Sequence, residues 1–286
     1  MVILSMRIIK RKNYNYLQHS FRKKGKVITR EKYLGKEIPK NTEKLKENFL
    51  ELCKKESLYL ELKKIKTNFQ KEWKKYPESI KEKVKEQLAI AFTYNTNAIE
   101  GSTITLEETR EIIEDKIAPK KSLRDIKETE AHAKLFLEIL EKKEKLTKKL
   151  ILNWHKSLFH ETKPDIAGTF RDYLVKVGNY RAPDWQDIEK LIKEFILYCN
   201  KNKKMNPIEL SARIHYKFEK IHPFGDGNGR IGRLLMNYIL WNNEYPLLII
   251  EYKKRRSYYR ALQKKEDGFF TYFTRRYLKV HKKYLA

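Results

Sequence analysis

The stretch that decides the fold covers residues 222–233 and reads HPFGDGNGRIGR. Before it, residues 209–221 (ELSARIHYKFEKI) carry apolar and aromatic side chains at helical spacing. After it, residues 231–241 (IGRLLMNYILW) repeat that spacing. The glycines therefore fall on a turn that enters a helix, and the sequence predicts two helices joined by a glycine-rich loop.

This loop has the composition of a phosphate-binding site. Successive backbone N–H groups in a glycine-rich turn, next to a helix N-terminus, form a nest for anions. Gly227 and Gly229 let the backbone approach a phosphate closely. Arg230 and Arg233 are three residues apart and share a helix face, where two guanidinium groups can bind further phosphate oxygens in bidentate fashion.

Two residues of the loop add reactive groups. A carboxylate beside phosphates, here Asp226, is a natural ligand for Mg²⁺. His222 can accept a proton near neutral pH. Each feature alone is common in turns and on surfaces, but eight specified positions in a window of twelve residues make chance a poor explanation of the combination. Base, metal ligand, anion nest and arginine pair together predict transfer of a phosphate ester from a nucleotide.

The stretch resembles the signature of the Fic family, H-x-F-x-[D/E]-G-N-G-R-x-x-R, and matches every specified position. This resemblance implies a compact helical core with a small β-hairpin flap, and AMPylation, the transfer of AMP from ATP to a protein hydroxyl. It implies that His222 is the general base, that Phe224 anchors the loop in the core and that Asp226 holds Mg²⁺. The segment that it implies for ATP binding comprises Phe224, Gly225, Asp226, Gly227, Asn228, Gly229, Arg230 and Arg233.

Residues 96–101 (TNAIEG) resemble the inhibitory motif of autoinhibited Fic proteins, [S/T]-x-x-x-E-[G/N]. The motif lies N-terminal to the core, as in the class with an N-terminal inhibitory helix, and implies that Glu100 pairs with Arg233. Such a carboxylate takes the partner that the γ-phosphate of ATP needs and repels its charge, so ATP binds in a pose unfit for attack. Without the signature, Glu100 would be interpreted as an ordinary polar residue at a helix end.

Two further segments are similar to parts of the family. Val177, Gly178, Asn179 and Tyr180 fall where the family has its flap, which aligns the target by main-chain strand pairing; a simple surface hairpin is the alternative. Residues 256–259 (RSYY) resemble the segment that lines the adenosine pocket. Tyr258 and Tyr259 are therefore candidates for contact with the base or ribose, and aromatic packing in the core is the alternative.

Charge and composition narrow the classes of function. The 286 residues include 64 Lys+Arg and 37 Asp+Glu, a net charge of +27, with +10 in residues 1–40 and +9 in residues 251–286. Polyanions such as nucleic acid are plausible contacts of these basic ends, and a lysine-rich surface without a special partner is the alternative.

Two cysteines, Cys53 and Cys199, are too few for a disulfide framework or a cysteine zinc site. The longest apolar runs are too short for a membrane span, so we expect a cytoplasmic protein.

The sequence predicts a mainly α protein with a Fic-type helical core, a β-hairpin flap and a short N-terminal β-rich extension. Within the basic extension, residues 1–41, residues 12–38 indicate a hairpin or three-stranded unit with Gly25 in a turn. Residues 42–121 are predicted to form a helical region with the inhibitory helix, and residues 122–286 the catalytic core with its C-terminal helices. Helices are predicted at about 42–76, 78–99, 105–116, 122–144, 147–160, 184–202, 207–220, 228–243, 256–266 and 269–284.

The leading hypothesis is an autoinhibited protein adenylyltransferase that uses ATP and Mg²⁺ and modifies a Ser, Thr or Tyr hydroxyl of a target protein. One alternative keeps the site and reverses the chemistry: a hydrolase that removes AMP from a protein, with Glu100 as the base. The other is a regulator that binds nucleic acid through its basic ends. A homodimer is a further expectation that the resemblance leaves open.

Overall fold

The computed structural model describes residues 2–9, 12–23 and 26–285. An antiparallel sheet opens the chain, with strands β1 (Val2–Ile9), β2 (Lys12–Lys23) and β3 (Lys26–Gly35) in spatial order β1-β2-β3. The predicted β-rich extension is confirmed, and it has three strands. It begins at Val2, earlier than predicted, because the run VILSMRII lacks strict alternation and is recognisable as a strand only once paired with β2. The predicted turn at Gly25 lies outside the described residues.

One face of this sheet packs on the first helix, α1 (Thr42–Trp73). Leu4 stands opposite Leu17 in the β1–β2 register. Leu17 is fully buried in a cluster with Phe49 and Cys53 of α1. Because side chains alternate along a strand, the even-numbered residues of β2 lie on the opposite face.

The rest of the described chain is mainly helical, as predicted. A short hairpin, β4 (Lys176–Val177) and β5 (Tyr180–Arg181), interrupts the helices where the flap was predicted. The helices are α2 (Glu78–Ile99), α3 (Leu106–Arg110), α4 (Leu123–Glu141), α5 (Lys148–Phe159), α6 (Ile188–Lys201), α7 (Pro207–Ile221), α8 (Asn228–Asn242), α9 (Arg255–Leu262) and α10 (Glu266–Val280).

Local capping signals set several helix ends. The Glu108 N–H donates to the Thr105 hydroxyl while the Glu108 carboxylate accepts from the Thr105 N–H, so a capping box starts α3. Asn206 caps α7 ahead of Pro207. Gly101 has φ of +96°, the left-handed conformation that ends a helix. Glu100 is therefore held at the C-terminal end of α2.

The core that positions the site is shared by α2 and by α4 to α8. Phe136 of α4, Phe218 of α7 and Leu234 of α8 are fully buried in it. α7 and α8 pack against each other and are joined by the loop 222–227. This packing fixes both ends of the glycine-rich loop.

The chain divides into two compact units, Met1–Lys64 and Ile65–Ala286. The first holds the sheet and the start of α1, and the second holds the rest of α1 and the other helices. The predicted three-part division at residues 41 and 121 stays a prediction. In the described part of the chain, we find no helix that is both long and apolar enough to span a membrane.

Candidate active site

The loop between α7 and α8 is held by its own side chains. Asn228 Nδ2 donates to the Phe224 carbonyl oxygen at 2.8 Å, and Asn228 Oδ1 accepts from the Phe224 N–H at 2.9 Å. The Phe224 ring is fully buried and stacks on the His155 ring, with centroids 3.8 Å apart. Burying a phenylalanine side chain contributes about 1.5–3 kcal/mol, so ring and amide together fix the loop.

His155 of α5 also fixes the loop, and the sequence analysis missed it. The Gly168 N–H donates to His155 Nδ1 at 3.0 Å, so the ring proton resides on Nε2. Nε2 in turn donates to the Asp226 carbonyl oxygen at 3.0 Å. Burial lowers the pKa of His155 to about 4, so the ring stays neutral. A histidine among buried helical positions was the only sequence signal of this contact.

His222 ends α7 in a left-handed conformation, with φ of 51° and ψ of 59°. Such a conformation is strained for a residue with a Cβ and clusters at functional sites. The His222 carbonyl oxygen accepts from Arg171 Nε at 2.9 Å, which fixes the backbone that carries the imidazole. Burial lowers the pKa of His222 below its ordinary value of 6.5. The imidazole is therefore neutral near pH 7, the form that accepts a proton.

Arg233 of α8 binds Glu100 at the end of α2. Arg233 Nη2 donates to Glu100 Oε1 at 2.6 Å and to the Thr96 carbonyl oxygen at 3.2 Å. The Arg233 side chain is 1% exposed, whereas that of Glu100 is 29% exposed. Burial alone would lower the pKa of Arg233, but the Glu100 carboxylate raises it above its ordinary value. The structure thus brings together the two residues that the inhibitory motif paired.

The Glu100 carboxylate lies at the N-terminus of α8. A Cβ added at Gly229 would come within 2.2 Å of Glu100 Oε1 and 2.9 Å of Arg233 Nη1. Glycine at position 229 is thus what allows the close approach. A helix N-terminus attracts anions, and a carboxylate of the chain itself lies beside the predicted anion nest.

Arg230 is held by a second carboxylate, which the sequence analysis missed. Arg230 Nη1 donates to Glu128 of α4, and the two side chains are 5% and 9% exposed. Arg124 Nε and Thr162 Oγ1 donate to the other Glu128 oxygen at 3.1 and 3.2 Å. Burial alone would raise the pKa of Glu128, but the charge of Arg230 holds it below its ordinary value. No sequence signal connects residues so far apart in the chain.

Asp226 carries the features of a cation ligand. Its Oδ1 accepts from the Gly227 N–H at 2.5 Å, and its Oδ2 accepts from the Lys163 ammonium. Lys163 Nζ also lies 3.3 Å from Glu128 Oε1, so a positive charge already sits between two carboxylates. This donor set fits Mg²⁺, which proteins bind through one or two carboxylates plus substrate phosphates. Among the described residues, no group of three or more His, Cys, Asp or Glu side chains could hold a metal by itself.

A polar cleft of about 230 Å³ opens between these groups. Glu100, Asp226 and Arg230 line it. The remaining lining residues are Asn97, Gly101, Ser102, Arg124, Asp125 and Glu128.

The flap is tied to the end of α7. Val177 pairs with Tyr180 across the turn at Gly178 and Asn179, and Gly178 has φ of +57°. Tyr180 Oη donates to the Lys220 carbonyl oxygen at 2.7 Å. The flap is therefore anchored two residues from His222, while Val177 stays exposed.

Tyr258 and Tyr259 occupy different surroundings. Tyr258 is 1% exposed, and its Oη lies 2.8 Å from His215 Nε2 in the core. Tyr259 is 43% exposed, and its Oη donates to the Ile99 carbonyl oxygen at 3.0 Å. Tyr259 thus contacts the residue before Glu100. Contact with adenosine stays a prediction for both tyrosines.

Comparison with known proteins gives a family match for the region that contains the glycine-rich loop. Residues 145–240 match the model of the Fic/DOC family. Residues 145–240 therefore have the sequence features of a Fic/DOC domain. The resemblance drawn from residues 222–233 is confirmed, and so is the mainly helical Fic-type fold.

The Fic domain and its flanking helices have curated relatives and solved neighbours. The chain is 38% identical over 189 residues to a protein adenylyltransferase Fic of Nematostella vectensis, covering 64% of this chain and 44% of the relative. It is 35% identical over 199 residues to a protein of the same name from Drosophila ananassae, covering 68% and 40%. The chain thus spans less than half the length of these curated relatives. The solved structure of Fic-1 from C. elegans matches with a TM-score of 0.72 at 25% identity, covering 86% of this chain and 77% of that one.

Proposed function

We propose that this protein transfers AMP from ATP to a hydroxyl group of a target protein and that Glu100 restrains the transfer. The observation that carries the proposal is the Glu100–Arg233 pair at the N-terminus of α8, beside the loop that begins with His222. The relatives named protein adenylyltransferase support the transfer of AMP. The proposed partner is a protein with a Ser, Thr or Tyr hydroxyl, and a homodimer stays a prediction.

His222 is the base of the proposed reaction. It takes the proton of a Ser, Thr or Tyr hydroxyl as that oxygen bonds to the α-phosphorus of ATP. The bond from this phosphorus to the bridging oxygen breaks, and pyrophosphate leaves. The lowered pKa of His222 keeps the imidazole in the accepting form, and general base catalysis contributes about 10²–10⁴-fold.

The loop and α8 bind the phosphates in this proposal. Backbone N–H groups from Gly227 to Gly229 offer donors at the positive end of the helix dipole, and Arg230 and Arg233 add guanidinium groups. Mg²⁺ held at Asp226 would neutralise phosphate charge. Phe224 acts through the loop that it anchors, and the flap residues 177–180 align the target segment by strand pairing.

Glu100 restrains the reaction through charge and position. It binds Arg233 and lies against Gly229. A terminal phosphate of ATP needs both the Arg233 guanidinium and the space beside Gly229. Two negative charges about 4 Å apart repel by about 4 kcal/mol at an effective dielectric constant of about 20. A γ-phosphate is therefore displaced while Glu100 stays in place, and the α-phosphorus is not aligned for attack.

The test compares the native protein, Glu100→Gly and Glu100→Gly/His222→Ala, each incubated with ATP labelled with ³²P at the α-phosphate. We expect label on protein with the single variant and none with the double variant. Parallel reactions with γ-labelled ATP separate adenylyl from phosphoryl transfer. Label from γ-labelled ATP, or equal α-label in both variants, contradicts the proposal.

The same variants address removal of AMP. AMP-modified protein from the first experiment is returned to native protein and to Glu100→Gly. Release of AMP by the native protein alone would make Glu100 a hydrolytic base, whereas release by neither leaves transfer as the activity of the site.

A further inference from the structure

The proposed adenylyl transfer does not use the outer face of the N-terminal sheet. The side chains of this face are nevertheless unusual for a solvent-facing surface. Leu17 and its neighbours bury the inner face. On the outer face, register places Tyr16 opposite Tyr33 and Tyr14 opposite Arg7. Residues directly opposite on paired strands share one face, so three tyrosines and an arginine form a single surface.

These rings form a contiguous platform. The Tyr33 ring centroid lies 5.2 Å from that of Tyr16 and 6.1 Å from that of Tyr14. Arg7 lies over the Tyr16 ring, with its guanidinium carbon 5.0 Å from the centroid. Tyr33 is 50% exposed, so the platform is accessible to a planar group from solvent.

Apolar and basic side chains border the platform. On the same face, Ile3 and Ile9 of β1 are 56% and 48% exposed. Lys12 is opposite Ile9, two residues before Tyr14 on the same side of β2, and is exposed. Glu31 pairs with Arg7 and holds its guanidinium in place. The surrounding sequence is strongly basic, with a net charge of +10 over residues 1–40.

We propose that this face, Arg7, Lys12, Tyr14, Tyr16 and Tyr33, binds single-stranded nucleic acid. Bases stack on tyrosine rings whatever their sequence, and a basic groove or surface follows the phosphates. A β-sheet whose outer aromatic side chains stack successive bases is an established way of binding RNA. The charge excess selects a polyanion as partner, and the exposed rings select one with unpaired bases, because a duplex keeps its base faces stacked internally.

The test measures fluorescence anisotropy of a labelled oligouridine and a labelled oligothymidine with the full chain at several salt concentrations. Tyr33→Thr keeps the net charge and a β-prone side chain but removes the exposed ring. Loss of one stacked base weakens binding by about fivefold or more. Tyr33→Phe keeps the ring and should bind as the native protein does.

A matched control tests whether the loss of a tyrosine outside this face also weakens binding. Tyr252 lies under Arg255, with the guanidinium carbon 4.1 Å from the ring centroid, within the other unit and another basic segment. Tyr252→Thr should leave affinity unchanged. Lys12→Gln should reduce the slope of log affinity against log salt by about 0.7, the value for one phosphate contact on a single strand.

Photocrosslinking keeps the proposal testable if Tyr33→Thr disturbs the sheet. Oligouridine containing 4-thiouridine is crosslinked to the native chain, and the modified peptides are identified by mass spectrometry. Crosslinks to the peptides of β1, β2 and β3 support the proposal. It is overturned by crosslinks elsewhere, by equal affinity of the native protein and Tyr33→Thr, by preference for duplex, or by no binding at all. Preference between uridine and thymidine oligomers then distinguishes RNA from DNA as the partner.

Discussion

Arg230 and Arg233 are one turn apart on α8, and each is bound by a carboxylate, but the two carboxylates differ in their freedom to leave. Glu128 comes from within α4, is 9% exposed and is bound by Arg230, Lys163, Arg124 and Thr162. Glu100 stands at the end of α2, is 29% exposed and contacts Arg233. One pair is built into the core, whereas the other is at a helix end followed by a glycine. The comparison supports a structural role for Glu128 and agrees with the proposal that Glu100 is a releasable restraint.

The largest expected effect is on protein stability and concerns the Glu128–Arg230 pair. Glu128→Gln removes the charge that balances buried Arg230, and breaking a buried pair in this way costs about 3–5 kcal/mol. We expect a strongly lowered Tm in thermal unfolding followed by circular dichroism.

A control for this variant lies on the same helix. Glu138 pairs with Lys142 at 3.7 Å, and its side chain is 44% exposed. Glu138→Gln should change stability by less than about 0.5 kcal/mol, because exposed i,i+4 pairs contribute little. Equal Tm values for both variants would show that the Glu128–Arg230 pair contributes no more to stability than an exposed pair. That result would contradict the difference drawn here between Glu128 and Glu100.

The next effect concerns the restraint. Glu100→Gly frees Arg233 and the nest over Gly229, and we expect AMP transfer to rise about 10- to 100-fold, equivalent to about 1.4–2.7 kcal/mol of barrier. Initial rates of label incorporation measure it. Glu107→Gln removes an equal charge at an exposed position of α3 and should leave the rate unchanged. A Glu100→Gly variant no faster than native protein is incompatible with restraint.

A smaller effect is expected at the helix end. Gly101 has φ of +96°, and a Cβ there meets no atom within 4 Å, so Gly101→Ala strains only the backbone. The left-handed conformation costs alanine about 1–2 kcal/mol, which weakens the end of α2 that presents Glu100. AMP transfer should rise by less than in Glu100→Gly, and Tm should fall slightly. A lower transfer rate would indicate that Gly101 has another role.

The smallest effect is on pH dependence. His222 acts as a base only when neutral, and burial lowers its pKa below 6.5. The transfer rate of Glu100→Gly should therefore stay above half of its maximum down to pH 6.5 and fall to half only at a lower pH. A rate profile across mildly acidic pH checks this. Half-loss of rate above pH 6.5 would contradict the lowered pKa.

Much of the fold was predictable because its signals are local. The capping box of Thr105 and Glu108, the Asn206–Pro207 start of α7 and the left-handed Gly101 each act within a few residues. The glycine-rich loop was recognisable for the same reason, since its groups are adjacent in sequence. The early start of the sheet at Val2 was not predictable, because an edge strand is defined by its pairing partner.

The missed part of the site depends on tertiary contacts. Glu128 meets Arg230 across 102 positions, and Lys163 meets Asp226 across 63. Neither Glu128 nor Lys163 lies in a sequence motif that distinguishes it from the many other charged residues of the chain. The role of His155 could not be predicted either. It depends on hydrogen bonds to the Gly168 N–H and the Asp226 carbonyl oxygen, which only the fold brings to the imidazole ring.

The most direct test of the restraint is the ratio of ATP to ADP affinity, measured by isothermal titration calorimetry for the native protein and Glu100→Gly in the presence of Mg²⁺. ATP and ADP differ by the γ-phosphate, the group that Glu100 excludes from Arg233 and the nest. We predict similar affinities for both nucleotides in the native protein and a marked preference for ATP in Glu100→Gly. An unchanged ratio, with both nucleotides binding measurably, would contradict it.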